Sequence, residues 1–342
     1  MNVVVADDYC IEWDSFVTAS PDATAYHVFA WKNVLSDSFG HKSYYLAAID
    51  EVGIWQGILP LVHMQSMLFG NFLISLPFLN YGGLLCNNDS AASSLLQEAE
   101  RICRTCDSSF VELRHISPKA SFLPTKQHKV TMILALAKSE DVQWCLFDSK
   151  LRNQIRKAQK SGLEFRVGRQ ELLVDFYAVF ARNMRDLGTP VYAQEFFENV
   201  IRAFPDSTSI GAVYHDGKAI AAGLVCWFRG KIEIPWASSI LDYKAFCPNH
   251  MLYWELIKFA IAHGQDEFDF GRSTPHEGTY NFKKQWGAKP IQLNWQYLKS
   301  ESGEVPELNP KNPKFKLAIQ IWRHLPVSVT KLIGPPIVRN IP

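Results

Sequence analysis

Apolar and polar positions alternate most clearly in the second half of the chain. Thr208–His215 reads as a strand, and Asp216-Gly217 as a two-residue hairpin turn. Ala219–Phe228 is a second strand, Arg229-Gly230 a second tight turn and Lys231–Ala237 a third strand. Pro235 has no N–H to give a ladder, so it predicts an edge or a bulge. A helix follows, with Asn249 as its expected N-cap and Leu252, Leu256, Ile257, Ala260 and His263 on one side. Gly264 is its stop. Glu267–Phe270 then reads as a short strand and Pro290–Leu298 as the last one.

The first half runs through the same order. Tyr45–Ile49, Ile54–Met64 and Phe72–Phe78 predict strands. A helix starts near Asp89, with Ala92, Leu95, Leu96, Ala99, Ile102, Cys103 and Cys106 at helical spacing. Phe110–Leu113 and Val130–Ala135 are strands again. Gly53 precedes Gly217 by 164 residues, Glu112 precedes Asp269 by 157, and Lys126 precedes Lys284 by 158. Matching order at matching offset implies a structural duplication with a period of about 160. Three more helices lie between: Asp148–Ser161 before Gly162, Glu171–Leu187 before Gly188, and Ala193–Phe204 before Pro205. The expected fold is α+β, two similar lobes of mixed sheet flanked by helices, at residues 1–145 and 146–300.

Residues 301–342 differ. They hold seven of the chain's 18 prolines, and Lys311, Lys314, Lys316, Arg323, Lys331 and Arg339 have no acidic residue after Glu307. Phe315, Ala318, Ile319, Trp322 and Leu325 predict a short amphipathic helix ending at Pro326. Docking of that helix on the body is the plain reading. Peripheral contact with the inner membrane through residues 311–342 is the sharper one, since basic charge beside Trp and Ile suits an anionic interface.

Composition narrows the classes. The 342 residues carry 35 Lys plus Arg against 34 Asp plus Glu, so no overall basic field exists for gripping DNA. Seven cysteines, an odd number, do not make a disulfide framework and fit a reducing, cytoplasmic setting. Cys103 and Cys106 stand in C-x-x-C spacing, but on the apolar side of a predicted helix they read as buried thiols. No HExxH, GxxxxGK[ST], GxGxxG or GxSxG is present, and no metal site is expected. Val52 to Asn88 is a run of 37 residues without a charged side chain. Pro60, Pro77 and Gly82-Gly83 interrupt it, so it reads as buried strands rather than a membrane span, with Met67–Gly70 as a loop able to touch a lipid or an apolar substrate.

The densest polar and aromatic stretch is Asp269–Lys289, directly after a strand end. Arg272 could clamp a phosphate or carboxylate. Lys283 could stabilise a developing oxyanion. Asp269 either takes a proton from an attacking amine or pairs with Arg272. Ser273, Tyr280 and Trp286 complete the stretch as substrate contacts, and burial of Phe282 and Trp286 on one helical face would turn Lys283 another way. Arg152, Arg156 and Lys160 share one face of the helix after Asp148, with Lys150 and Lys157 beside them. Arg152, Arg156 and Lys157 are the candidate phosphate-binding set. Asn183–Pro190 with Arg185, Trp236–Ser239 with Trp236 and Ser238, and Tyr81-Gly82-Gly83 supply further candidate substrate contacts.

Residues 151–158, Leu-Arg-Asn-Gln-Ile-Arg-Lys-Ala, and 282–286, Phe-Lys-Lys-Gln-Trp, together with the two lobes, resemble the FemAB group of acyl- and aminoacyltransferases. Asn183–Pro190, Trp236–Ser239, Phe268–Thr274 and Gly278–Ala288 resemble the FemAB-related proteins associated with the PEP-CTERM/exosortase system, and CelD-like proteins. The resemblance spans residues 25–300. It implies two lobes of the GNAT acyltransferase fold and an acyltransferase acting on an amine or hydroxyl of a cell-envelope glycan, exopolysaccharide or lipid-linked precursor. It implies an oxyanion-stabilising role for Lys283. No cofactor would be held tightly, and the donor would be acyl-CoA or aminoacyl-tRNA. The coenzyme A loop [Gln/Arg]-x-x-Gly-x-[Gly/Ala] is absent, as is any long charged helical insertion. A non-catalytic module that recruits a glycan or partner to the inner membrane surface is the other reading.

Overall fold

The computed structural model describes residues 1–299 and 313–341. Residues 300–312 and 342, including Lys311 and the start of the expected Pro-rich tail, lie outside them. The described chain forms two compact units.

In unit 1, β1 (Asn2–Val5), β2 (Lys42–Ile49), β3 (Trp55–Ser66) and β4 (Gly70–Ile74) form an antiparallel meander. The short β5 (Leu85–Cys86) pairs with β3, β6 (Phe110–His115) lies parallel to β4, and β7 (Thr125–Lys126) is outermost. Helices α1 (Cys10–Ala19) and α2 (Trp31–Phe39) lie in the chain between β1 and β2. Helix α3 (Asp89–Thr105) is the crossover that a parallel pair requires. The Asn88 side chain caps it, accepting the Ala91 N–H at 2.9 Å. Its apolar stripe, including Leu95, Ala99 and Ile102, packs with Leu46, Leu59, Leu61 and Val111. Cys103 is buried on that stripe and donates to Ser108 O. The uncharged run is therefore β3, β4 and β5, with an exposed β3–β4 turn at Met67-Leu68 and a buried connection over Ser75–Leu79. Among the described residues no helix is long and apolar enough to cross a membrane.

In unit 2 the strands are β8 (Val130–Ala135), β9 (Glu164–Gly168), β10 (Thr208–His215), β11 (Lys218–Phe228), β12 (Lys231–Ser239), β13 (Glu267–Ser273) and β14 (Lys289–Gln292). Their order is β14-β8-β13-β12-β11-β10-β9. With β15 (Asn294–Lys299), unit 1 has the order β1-β2-β3-β4-β6-β15-β7. The two orders correspond strand for strand, which confirms the duplication and sharpens it. Each sheet takes its penultimate strand from the other half of the sequence: β15 enters the first sheet and β8 the second. The stretch Pro290–Leu298 is thus two strands rather than one, divided at Leu293, whose N–H bonds to Lys129 O at 3.0 Å. For the same reason the first unit ends at Lys129 instead of residue 145, and it includes β15.

Helices α4 (Glu140–Leu146), α5 (Ser149–Gln159), α6 (Leu173–Leu187), α7 (Gln194–Ala203), α8 (Pro248–Ala262) and α9 (Gly278–Lys284) belong to unit 2. Asp148 caps α5 through the Leu151 N–H at 2.7 Å, and Gly188, at φ 78°, ends α6 in the left-handed region. The start of α8 differs from expectation. Pro248 occupies its first turn and Cys247 the cap position, so Asn249 lies inside the helix. Proline suits that position because the first-turn N–H has no helical partner to lose. Leu151, Ile155, Leu252, Leu256 and Ile257 of α5 and α8 share a core with Ile232, Ile234, Phe268 and Phe270 of the sheet. On the α6 and α7 side, Trp236 meets Phe196 and Phe197 edge-on at 5.3 and 5.4 Å.

The C-terminal helices α10 (Pro313–His324) and α11 (Val327–Val338) also belong to unit 2. Arg323 donates to Leu187 O at 3.2 Å, and Arg185 donates to Leu325 O at 3.1 Å. Docking, the plainer expectation for the tail, is therefore observed. Helix α11 has no counterpart in the sequence reading, because Pro335 and Pro336 within it signal a break rather than a helix.

Candidate functional site

The parallel strands β12 and β13 pair only over Lys231–Glu233 and Glu267–Asp269. Beyond that point they separate, although β12 continues to Ser239 and β13 to Ser273. The sequence explains the divergence. Pro235 cannot donate, and the β11–β12 register shifts opposite it, between Leu224 and Cys226. The expected bulge is thus present, in a central strand. On β13 the register against β8 shifts between Asp269 and Arg272, where Gly271 takes φ 73°. A non-glycine residue would be strained there. Two bulges side by side leave a fork whose backbone groups are not spent on each other.

Three charged side chains meet at the root of the fork. Ile232, Ile234, Phe268 and Phe270 face the α5–α8 core. The period of two therefore turns Glu233 and Asp269 to the other face, directly across the ladder from each other. Both are buried. Asp269 Oδ1 accepts the Thr131 hydroxyl at 2.5 Å and the Gly271 N–H at 2.8 Å, so this carboxylate fixes the bulge. Lys283 comes from α9 and is only 8% exposed. Its Nζ donates to Gly271 O at 2.9 Å and Arg272 O at 3.0 Å. An ammonium has three donors, so one remains for a ligand. Burial pulls the Lys283 pKa down to about 8; the Asp269 and Glu233 charges oppose that fall, and Arg272 adds to it. The result is a desolvated cation poised near neutrality.

Phe282 and Trp286 are both packed in the core as their spacing implies, but Lys283 is buried with them instead of turned away. The geometry joins Lys283, Asp269 and Arg272. Ser273 is buried on the same strand, and its Oγ has no partner among the described residues. Tyr280, half-buried on α9, lies 5.8 Å from the His276 ring. Trp286 is fully buried, and so is its unpartnered Nε1. His250 stacks on Trp286, and burial lowers its pKa to about 4, which keeps it neutral. Trp236 is a core residue against Phe196 and Phe197. Ser238 accepts from Asn183 Nδ2 at 3.0 Å, which ties α6 to the tip of β12. Arg185 is ion-paired with Asp186 at 2.7 Å.

The basic set is only partly free. The Arg156 guanidinium lies over the Trp144 ring at 5.3 Å, Lys157 is exposed, and Arg152 is half-buried with an unpartnered Nε. Tyr81 is not part of the cluster. It is buried in unit 1 with its ring edge-to-face on Tyr26 at 5.2 Å. Glu233 and Thr131 are the residues that sequence reasoning missed. An acid between Ile232 and Ile234 in a strand was the available signal for Glu233. Thr131 carried none, since its strand crosses from the other half.

Residues 147–284 match the acetyltransferase (GNAT) domain family. A lipid II:glycine glycyltransferase of Staphylococcus haemolyticus is 30% identical over 134 residues, which is 37% of this chain and 30% of that protein. The chain thus spans less than a third of the length of this relative. The crystal structure of FemX superposes with a TM-score of 0.66 at 16% identity, covering 87% of this chain and 98% of that one. A tandem GNAT protein from the clavulanic acid biosynthesis pathway superposes with a TM-score of 0.53 at 11% identity, covering 89% and 98%. The chain has the tandem GNAT fold, and the forked sheet with Lys283 falls in the segment that matches the GNAT acetyltransferase domain.

Proposed function

We propose that the protein is an acyl- or aminoacyltransferase whose reaction centre is the β12–β13 fork. The carrying observation is the buried Lys283 ammonium at the root of that fork, held by two carbonyls with one donor to spare. An acceptor amine or hydroxyl attacks the carbonyl carbon of the donor. The new C–N or C–O bond forms, the carbonyl oxygen gains negative charge, and the ester or thioester bond of the donor then breaks. Lys283 offsets that charge from a largely desolvated position, where a donor is worth more than in open solvent. Asp269 positions the Gly271 bulge and so aims Lys283; its engagement by Thr131 and Gly271 favours this over the role of base. The proton released by the acceptor leaves with the donor's departing oxygen or sulfur.

The similarity to a lipid II:glycine glycyltransferase favours an amine on a lipid-linked envelope precursor as acceptor, and the FemAB resemblance of the sequence favours aminoacyl-tRNA as donor. The start of α8 adds to that preference. Pro248 removes an N–H where a phosphate cradle would need one, and no glycine-rich loop precedes it, which disfavours acyl-CoA. The resemblance to PEP-CTERM-associated proteins favours an exopolysaccharide-related glycan within that class. A cytoplasmic protein working at the inner membrane surface fits such an acceptor.

Purified protein incubated with lipid-linked precursor and either aminoacyl-tRNA or acyl-CoA tests the reading. Transfer from one donor is expected, and Lys283→Ala should reduce its rate by about 10²–10³-fold. Binding of the precursor without transfer from any donor would overturn it in favour of a recruiting module.

A further inference from the structure

The outer face of α5 carries charge of one sign. Leu151, Ile155 and Ala158 form the inward row, buried in the α5–α8 core. The rest of the helix and its last cap carry Lys150, Arg152, Arg156, Lys157 and Lys160, all exposed except Arg152, which is half-buried. No acidic residue follows Asp148 until Glu164, and Asp148 is spent on the helix cap. None of the five cations makes an ion pair among the described residues. Helix α3 shows the ordinary arrangement, with Arg101 and Arg104 paired to Glu98 and Glu100 at 2.7 and 2.9 Å. Arg152, Arg156 and Lys160 instead stand at i, i+4 and i+8, about 6 Å apart along the axis, where like charges repel. The Arg152 Nε is buried without a partner among the described residues. A row of mutually repelling cations with an unspent guanidinium calls for an anion.

The surroundings narrow which anion. Beside the cations stand only Ser149, Asn153 and Gln159, so the outer face of α5 holds no apolar side chain. A helix lying in a bilayer interface needs an apolar face to bury in lipid, and that of α5 is already in the core. Val142 and Leu146 are exposed on α4, but each is two residues, about 200° of helix, from Trp144, the residue that lies beneath Arg156. A phosphodiester strand fits better, since it brings a regular series of negative charges and needs no apolar contact. The Arg156 guanidinium lies over the half-buried Trp144 ring at 5.3 Å, and Trp144 meets Trp254 at 5.3 Å. The cationic row therefore runs beside an aromatic patch, the pairing that unpaired nucleotides bind. One ring contact links this face to the reaction centre. Phe147, just before the α5 cap, meets Trp286 edge-on at 5.5 Å, and Trp286 follows Lys283 by three residues. We infer that the outer face of α5 grips the phosphate backbone of the RNA that carries the acyl ester to Lys283. The inference rests on the aminoacyl-tRNA reading of the donor for its purpose; RNA binding itself needs neither ester nor acceptor.

Filter binding of uncharged transfer RNA to the full chain tests it. Affinity should fall as salt rises, and the slope of log Kd against log salt measures the phosphate contacts. Replacing the exposed Lys150, Lys157 and Lys160 by Gln, a good helix former, should leave the melting curve unchanged. It should weaken RNA binding about tenfold or more at low salt and cut the slope by about two to three. Lys150→Arg, Lys157→Arg and Lys160→Arg together should keep both affinity and slope, since arginine also neutralises phosphate. An unchanged slope in the Gln variant would overturn the assignment. So would absence of RNA binding by the parent chain, or equal competition by polyglutamate, which would give the face to an acidic protein. Binding to phosphatidylglycerol vesicles that the Gln variant abolishes while RNA binding stays would give it to a membrane and overturn it as well. Transfer from acyl-CoA by a chain that binds no RNA would sink this inference and leave the acyltransferase reading standing. RNA binding that the Gln variant loses, with no transfer from any donor, would do the opposite.

Discussion

The same position in the duplicated sheet holds a closed ion pair in one unit and a poised cation in the other. In unit 1, β4 and β6 pair in parallel at Leu73–Ile74 and Val111–Glu112, then stop. Their own chain fills the gap. Ser75 N–H bonds to Glu112 O at 2.9 Å and Gly82 N–H to Arg114 O at 3.1 Å. A side chain at Gly83 would meet the His115 ring at 2.3 Å, so glycine is what lets this plug fit. Glu112, the counterpart of Asp269, is bound by Arg114 Nε at 2.8 Å and the Tyr297 hydroxyl at 2.8 Å. The Arg114 guanidinium also donates to Leu79 O and lies 4.5 Å from the Trp295 ring. Every feature there satisfies a buried charge. In unit 2 the cation is a lysine on a separate helix, shared between two carbonyls, with its pKa pulled down to about 8. Duplication kept the fork in both units, and the unit 2 fork carries a buried lysine with a lowered pKa where the unit 1 fork carries a closed ion pair. Arg and Lys divide along their chemistry: the guanidinium suits a fixed multidentate network, the ammonium a tunable point charge.

The largest stability effect should fall on the closed fork. Arg114→Met leaves Glu112 buried without its cation and should cost about 3–5 kcal/mol in denaturant unfolding. A loss near zero would mean that the unit 1 pair is not structural.

The next effect concerns pH and separates the forks by titration. Lys283 is protonated below about pH 8, so transfer that needs the ammonium should hold below that value and fall as pH rises through it. Stability moves the other way. The folded pKa lies below the ordinary value of 10.5, so the cost of burying the ammonium is present below about pH 8 and is relieved between there and 10.5. Lys283→Arg should abolish the alkaline fall in rate, since arginine stays charged. Persistence of the fall would assign it to another group.

Smaller shifts sharpen the electrostatics. The Asp269 charge raises the Lys283 pKa, so Asp269→Asn should move the alkaline limb to lower pH. Arg272 lowers that pKa, so Arg272→Gln should move the limb to higher pH. Limbs moving in the reverse sense would contradict the charge arrangement. The smallest effect is local: Asp148→Ala removes the cap on α5 and should cost about 1 kcal/mol, read as a lower melting temperature with the pH limb unmoved.

Much of this was legible in the chain. Period-two alternation gave β10, β11 and β12 nearly to the residue, and Pro235 announced its bulge. Asp148, Gly188 and Gly264 marked helix ends by local chemistry alone. Non-local exchange was not legible. Nothing around Val130 or Asn294 shows that β8 and β15 join sheets built mostly from the other half, so the unit boundary and Thr131 were out of reach. The site was half visible. Asp269 and Lys283 stood out as polar residues after a strand end, but burial of Lys283 against the Gly271 and Arg272 carbonyls depends on how α9 folds back. Tyr81 reads as a site residue beside the Gly82-Gly83 pair that follows it; those glycines serve the plug.

The most direct test compares transfer rates, per folded molecule, for Lys283→Ala and Arg114→Met in one assay. The two-fork account predicts a loss of about 10²–10³-fold for Lys283→Ala and a rate close to that of the parent chain for Arg114→Met. A full rate with Lys283→Ala, or an equal loss with Arg114→Met, would contradict it.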